Sequence, residues 1–362
     1  MPRWRSLLPG RLPRQLNART MLVGAAVLAG LGGAAWLAAG LWEDLALAGS
    51  GAVLALWTVP VAVAVHLLQL LLSVLGWRVL VVRSPIGLPG FFRLRLMREG
   101  LNTLLPLAHV GGEVIAAQVM ARAGVPAAVA AAGMVVDVTV EVCAQLAFLA
   151  TGCVLLAALA GTGTAWLWCG SLGLAAVAAI GIALAQRFGG LRLLETVVRA
   201  IGQRLPSLAL SPATRQPGGG LDGLEAAALA IYRRPRRVVL AFCLQGAAWA
   251  LGAGETWIVL QAVGVDASPA QAFVIESLGM AARSAGFAIP GALAIQEGGF
   301  VLAAAAVGIP GVAALSLSLV KRVRELLIGV AGLAVWRMAR AAGVGRVAEL
   351  ERVGAAAGDQ DR

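Results

Sequence analysis

The 362-residue sequence has few charged side chains. Asp, Glu, Lys and Arg together make up 13% of the residues, whereas 60% are hydrophobic. A soluble domain carries about 25% charged residues, and so few charges could not cover the surface of a water-soluble chain. The composition argues against an ordinary soluble enzyme. It predicts a protein that uses the lipid bilayer as the solvent for its apolar side chains.

The side chains that most often carry enzyme chemistry are also scarce. The sequence has two histidines, His66 and His109, one tyrosine, and four cysteines without CxxC or metal-ligand spacing. The cysteines lie in apolar stretches, where they are expected to act as small packing residues. We therefore predict no catalytic residue, no metal centre and no cofactor.

The basic residues follow a pattern typical of membrane topology. Lys321 is the only lysine, so nearly all of the 29 basic residues are arginines, and most of these lie between apolar stretches. Cytoplasmic loops carry such an excess of positive charge, whereas a nucleic-acid surface would interleave bases with aromatic residues. We expect a multi-pass protein of the bacterial inner membrane, with both termini in the cytoplasm and no nucleic-acid partner.

Long apolar stretches predict an all-α polytopic fold. A membrane-spanning helix needs about 20 mainly apolar residues, and six stretches meet this requirement. They are Met21–Leu41, Gly51–Leu75, Pro126–Ala160, Thr164–Leu184, Val238–Gln261 and Gly311–Trp336.

Two further apolar stretches are interrupted. Residues 91–124 and 270–309 each carry a proline and glycines near the middle, where a helix would break. Irregular backbone at membrane depth is tolerated only where it is buried in protein or lines a wet cavity. We therefore predict two re-entrant helical hairpins. The break residues are Pro106, Gly111, Gly112, Pro290 and Gly291.

The chain repeats its pattern after 184 residues, the separation of Pro106 and Pro290 (290 − 106). The same shift aligns Glu113 with Glu297. Because the two halves are expected to start on opposite sides of the membrane, they predict an inverted-topology repeat, a plan common in secondary transporters. The predicted domains are a basic N-terminus (1–20), a first repeat (21–162), a second repeat (163–338) with a cytoplasmic insertion (185–237), and a cytoplasmic tail (339–362).

Charged residues inside the predicted membrane segments form the candidate site. An isolated charge at the bilayer centre costs at least about 2.5–3.5 kcal/mol. The shift aligns Asp137 with Lys321, and we expect these two side chains to face each other near the midplane. A lipid-headgroup site, a structural salt-bridge network and helix capping by Glu113 and Glu297 all remain open. The candidate residues are Glu113, Asp137, Glu141, Arg283, Gln296, Glu297, Lys321, Arg322 and Glu325.

Two long segments resemble the signature segments of hopanoid-biosynthesis-associated integral membrane proteins. They are LPLAHVGGEVIAAQVMARAGVPAAVAAAGMVVDVTVEV and ARSAGFAIPGALAIQEGGFVLAAAAVGIPGVAALSLSLVKRVRELLIGVAGLAVW. More distantly, the sequence is similar to the transmembrane flippase region of lysylphosphatidylglycerol synthases. The resemblance implies that the protein handles or moves a lipid in the bacterial inner membrane. It does not extend to Gln118, which stands where the wider family often has a basic residue.

The favoured function is that of a lipid transporter or flippase. It would move hopanoid or another amphipathic lipid through a polar cavity near the midplane. A non-catalytic membrane partner of lipid-biosynthesis enzymes and a membrane-embedded lipid-modifying enzyme are the alternatives. The expected partners are membrane lipids, either hopanoids or phospholipids, and the chain could form a homodimer.

Overall fold

The structure, a computed structural model, describes residues 55–82, 84–104, 111–160, 221–285 and 292–360. Over these residues the regular backbone is helical, with no β-strand, and the all-α prediction is confirmed for them. Two predicted spans, Met21–Leu41 and Thr164–Leu184, lie outside the described residues. The same holds for the predicted break residues Pro106, Pro290 and Gly291.

Prolines stand at the start of several helices. Pro60 lies in the first turn of α1, α6 begins at Pro235 and α7 begins at Pro269. The first-turn N–H groups have no partner within a helix, so proline loses nothing there and its fixed φ favours the helical backbone. In chain order the helices are α1 (Val59–Leu80), α2 (Leu88–Leu104), α3 (Gly111–Arg122), α4 (Ala127–Ala160), α5 (Leu221–Tyr232), α6 (Pro235–Ala262), α7 (Pro269–Ala285), α8 (Ala292–Ala306) and α9 (Gly311–Gln360).

Three helices within the described part are long and apolar enough to cross a membrane. They are Val59–Leu80, Ala127–Leu159 and Pro235–Ala262. The predicted span Gly51–Leu75 overlaps α1, which begins at Val59 after a turn at residues 57–58 and ends at Leu80. The predicted span Gly311–Trp336 lies within α9, which is not one of the three and continues to Gln360 through most of the predicted tail.

Two turns separated by 184 residues have the same backbone geometry. Gly124, after α3, has φ of 93°, and Gly308, after α8, has φ of 76°. The residue that follows each glycine donates its N–H to the carbonyl five residues earlier, at 3.2 Å in the first turn and 2.8 Å in the second. This helix end requires a left-handed residue, and glycine adopts that conformation without a steric penalty.

The helices of the two halves pack across each other. α1 lies along α6, α2 along α9, and α7 along α4. Gly100 on α2 lies so close to α9 that a Cβ there would be 2.6 Å from the carbonyl oxygen of Gly329. Between α4 and α7, Gln145 Nε2 donates to Ser284 Oγ at 2.7 Å. A shift of 184 residues relates Gly100 to Ser284 and Gln145 to Gly329. The contact between Gly100 and Gly329 therefore corresponds to the contact between Ser284 and Gln145, with the first and second halves of the chain exchanged.

Apolar side chains fill the space between the helices. The largest buried cluster includes Leu278, Phe300 and Leu317, from α7, α8 and α9. A second cluster lies among α1 to α4, where Trp77 meets Phe91 edge-on with 5.1 Å between the ring centroids. Charged side chains on these same helices are consequently enclosed by packing, and many of them are buried.

Candidate functional site

Two groups of ionisable side chains are buried between the helices. A buried charge in a membrane protein persists when it is paired, and both groups consist of ion pairs. The first charge cluster contains Arg95, Arg98, Glu113, Asp137 and Glu141. The second charge cluster pairs Lys321 with Glu255 and Glu276, Arg324 with Glu255, Arg283 with Glu325, and Arg322 with Glu297.

Arg98 on α2 is the centre of the first charge cluster. Its Nε donates to Glu113 Oε1 on α3 at 2.8 Å. On α4, its Nη1 donates to Asp137 Oδ2 at 2.9 Å and its Nη2 donates to Glu141 Oε2 at 2.8 Å. Arg95, one turn earlier on α2, donates to both carboxylate oxygens of Glu141 at 2.9 and 3.2 Å. A guanidinium has five N–H donors in one plane, so a single arginine can hold three carboxylates.

Asn102 joins this cluster to the start of α3. Its Nδ2 donates to Glu113 Oε1 at 2.9 Å, and its Oδ1 accepts from the backbone N–H of Gly112 at 3.1 Å. The first N–H groups of a helix lack intrahelical partners, so Asn102 caps α3 from a neighbouring helix. A Cβ at Gly112 would lie 2.6 Å from Asn102 Oδ1, which explains why glycine stands there.

Lys321 on α9 is the most enclosed base of the second charge cluster. Its side chain is 1% exposed, and its Nζ lies 2.9 Å from Glu276 Oε2 and 3.5 Å from Glu255 Oε1. Thr256 Oγ1 donates to Glu276 Oε2 at 2.7 Å, and Arg324 forms a hydrogen-bonded ion pair with Glu255. Two acids from α6 and α7 therefore compensate two bases from consecutive turns of α9.

Two further ion pairs complete the second charge cluster. Arg283 on α7 pairs with Glu325 on α9, and Arg322 on α9 pairs with Glu297 on α8. Arg324 Nη2 also lies 3.7 Å from Glu325 Oε1, which connects the Arg283 pair to the Lys321 group. α9 thus supplies side chains to ion pairs with three other helices.

Asp137 and Lys321 do not pair as the sequence suggested. Asp137 is bonded to Arg98 from α2, whereas the charged neighbours of Lys321 are Glu255 and Glu276. The two residues hold equivalent positions on α4 and α9, but each finds its counter-ion on a helix that packs beside its own. The expectation of a direct pair is therefore wrong.

The other candidate residues fall into both clusters. Glu113 and Glu141 join the first cluster, and Arg283, Glu297, Arg322 and Glu325 join the second. Gln296 is buried on α8, beside Glu297 in the chain.

Five members of the clusters were absent from the candidate set, namely Arg95, Arg98, Glu255, Glu276 and Arg324. Arg95 and Arg98 follow the predicted span Gly51–Leu75 and were counted with the cytoplasmic loop charges. Glu255 could have been included from the sequence, because it lies inside the predicted span Val238–Gln261 and a carboxylate at membrane depth needs a partner.

The two clusters differ in charge balance. The first has three carboxylates and two guanidinium groups, whereas the second has four carboxylates and four bases. Within the described residues, no group of three or more His, Cys, Asp or Glu side chains could hold a metal ion. The charged groups of both clusters form ion pairs and hydrogen bonds with one another.

The apolar helices and the buried ion pairs between them are those of an integral membrane protein. The chain belongs to the family described as the lysylphosphatidylglycerol synthase TM region, whose match covers residues 21–332. This family membership is consistent with a membrane function related to lipid. Comparisons with curated proteins and with solved structures gave no significant match.

Proposed function

We propose that this protein is a lipid transporter or flippase. An amphipathic lipid would pass its polar headgroup along the two charge clusters while its acyl chains stay in the bilayer. The family supplies the lipid context. The proposed membrane is the bacterial inner membrane, and a phospholipid or a hopanoid is the proposed class of substrate.

The observation that carries the proposal is the set of ion pairs made between helices. Arg98 holds carboxylates from α3 and α4, and Arg322 holds Glu297 from α8. A phosphate can take a guanidinium from a carboxylate, because arginine binds both groups through parallel N–H donors. A headgroup could thus replace an internal partner without leaving a bare charge in the membrane.

The geometry of the two halves supports an inverted repeat as the framework for this movement. The matching glycine turns and the exchanged contacts of Gly100 and Gln145 are expected if a two-fold axis relates the halves. We propose that α2 with α3, and α7 with α8, are the two re-entrant hairpins. In transporters built this way, substrate sites lie near the midplane between the repeats.

Reconstitution into liposomes tests the proposal. A fluorescent phospholipid in the inner leaflet resists an impermeant reductant until it is moved outward, so the protected fraction reports translocation. We expect the purified protein to move the lipid, and Glu297→Gln and Arg283→Gln to abolish movement while the protein remains folded. The control is Thr151→Ala, since Thr151 is exposed and bonds only within its own helix.

Two outcomes would count against the proposal. Translocation no faster than in empty liposomes, for phospholipid and hopanoid probes alike, would exclude lipid transport. Full translocation by both charge variants at normal protein levels would show instead that the buried charges are structural and that the site is elsewhere.

A further inference from the structure

A stripe of polar and small residues runs between α1 and α6 and reaches the second charge cluster at one end. We call it the α1–α6 seam. Its residues recur at spacings of three, four and seven along both helices, which places them on one face of each. The seam is formed by His66, Gln69, Ser73 and Gly76 on α1 and by Ala241, Gln245, Gly252 and Thr256 on α6.

Two close approaches fix how the helices align along the seam. A Cβ at Gly76 would lie 3.4 Å from the carbonyl oxygen of Ala241, and a Cβ at Gly252 would lie 3.5 Å from Gln69 Nε2. The helices therefore run antiparallel, and the small residues allow the backbones to approach. Ser73 lies between the two approaches on its helix, as Gln245 does on the facing one.

The polar atoms in this stretch are not satisfied by the protein. Ser73 and Gln245 are 3% and 2% exposed. Ser73 Oγ, Gln245 Nε2 and Gln69 Nε2 have no hydrogen-bond partner in the described part of the chain. A buried polar group left without a partner costs about 1–3 kcal/mol. Three such groups on one seam would together be costly without hydrogen-bond partners. Buried polar groups of this kind commonly bind internal water.

The seam leads to the second charge cluster at Gly252. The position that a Cβ would occupy there is 3.0 Å from Glu276 Oε1 and 3.5 Å from Gln69 Nε2. Glu276 Oε1 and Gln69 Nε2 therefore both approach Gly252, and a water molecule bound between these two groups would join the seam to the cluster. On the other side of Gln69, its Oε1 lies 2.9 Å from His66 Nδ1, so the polar stripe continues along α1.

We propose that the α1–α6 seam binds a chain of internal water molecules that connects Ser73 and Gln245 to Glu276. The water would satisfy the buried donors and would hydrate the carboxylate that pairs with Lys321. Partial hydration lowers the energy of buried charges, and it would allow these ion pairs to exchange partners. Water in the seam does not depend on whether the protein transports lipid.

Hydroxyl-radical footprinting of the purified protein in isotopically labelled water tests the proposal. Radicals made from bound water mark side chains beside it, including those that bulk solvent does not reach. Leu70, next to Gln69, is the reporter, and Leu317 in the apolar core is the matched reference, because both leucines are buried. We expect label at Leu70 to be several-fold higher than at Leu317.

Substitutions in the seam test whether the labelling of Leu70 depends on water bound there. Gln245→Leu and Gly252→Ala should both lower the isotopic label at Leu70. Gln245→Leu removes a side chain that would bind water, and Gly252→Ala fills the space beside Glu276. Ser316→Ala should leave the label unchanged, since Ser316 is equally buried but bonds to the Val312 carbonyl at 3.0 Å.

The labelling of the unmodified protein decides the matter even if a variant does not fold. Label at Leu70 no higher than at Leu317 would overturn the proposal, as would label that persists undiminished in folded Gln245→Leu. Thermal unfolding gives an independent criterion. If the seam contains no water, Ser73→Ala removes an unsatisfied hydroxyl and raises the thermal unfolding midpoint. If water binds the Ser73 hydroxyl, the same substitution leaves the midpoint unchanged or lowers it.

Discussion

The first charge cluster converges on one arginine, whereas the second spreads its charges over several pairs. Arg98 contacts three carboxylates, while each base of the second cluster has at most two acidic partners. The equivalent positions Asp137 and Lys321 carry opposite signs. Each is nevertheless neutralised, because the helices beside it supply the opposite charge. Positions related by the 184-residue shift therefore share helix contacts but not the sign of their charges.

This difference has a structural origin in the residues of the packed helices. The 184-residue shift maps Arg98 to Ala282 and Glu276 to Phe92. The first half thus places both of its bases on α2. The second half places three of its four bases on α9 and the fourth, Arg283, on α7, and its acids lie on α6, α7, α8 and α9. A centralised cluster should be sensitive to loss of its single base, whereas a distributed one should tolerate a single loss better.

The largest effect is expected from Arg98→Leu. The substitution leaves the buried carboxylate of Asp137 and two partly buried carboxylates with Arg95 as the remaining base. Removal of one partner from a buried ion pair costs about 3–5 kcal/mol. We expect a large fall in the thermal unfolding midpoint in detergent, and poor accumulation in the membrane. Arg93→Leu is the matched control, because Arg93 is exposed on the same helix. Equal stability of the two variants would show that Arg98 is not the centre of its cluster.

A smaller effect is expected from Lys321→Met in the second cluster. Glu255 keeps its bond from Arg324 and Glu276 keeps its bond from Thr256, so only part of the compensation is lost. We expect destabilisation of about 1–3 kcal/mol, as for a buried polar group that loses one partner. The comparison with Arg98→Leu is made by unfolding both variants under the same conditions. A loss larger than that of Arg98→Leu would reverse the contrast between the clusters.

Double-mutant cycles separate true pairs from equivalent positions. Arg98 and Asp137 are in contact, so their coupling in unfolding free energy should lie within about 0.5–3 kcal/mol. Asp137 and Lys321 have different partners, so their effects should add to within about 0.3–0.5 kcal/mol. The Asp137→Lys, Lys321→Asp double exchange should not restore stability. If the double exchange variant regained stability, the result would support the direct Asp137–Lys321 pair that the structure contradicts.

The smallest effect is expected from Thr256→Val. This change removes one hydrogen bond to Glu276 while keeping the shape of the side chain, and the ion pair with Lys321 remains. A bond to a charged group contributes about 1.5–3 kcal/mol at most, and we expect the lower end because Lys321 still compensates the carboxylate. Thr151→Val, at an exposed threonine with a bond inside its own helix, is the control for the substitution itself. Identical unfolding midpoints would mean that Thr256 does not help to hold Glu276.

Much of the helical framework could be predicted from local patterns. Hydropathy located the helices that became α4 and α6 to within a few residues at each end, because length and apolar composition are properties of one segment. The turn at residues 57–58, which separates residues 55–56 from α1, was not predicted, because apolar composition continues through it. Glu141 and Glu325 could be chosen as buried charges, but their partners could not, because a partner comes from another helix.

The sequence by itself determined that this chain is a membrane protein and that its described part is helical. Each of these follows from composition and from local backbone preferences. Only the tertiary structure decided that Asp137 meets Arg98 and that Lys321 lies between Glu255 and Glu276. Those contacts depend on which helices are neighbours and on how each is rotated about its axis. The orientation of each helix about its own axis is set by packing against the other helices. Residues distant in the chain therefore determine which charged side chains come into contact.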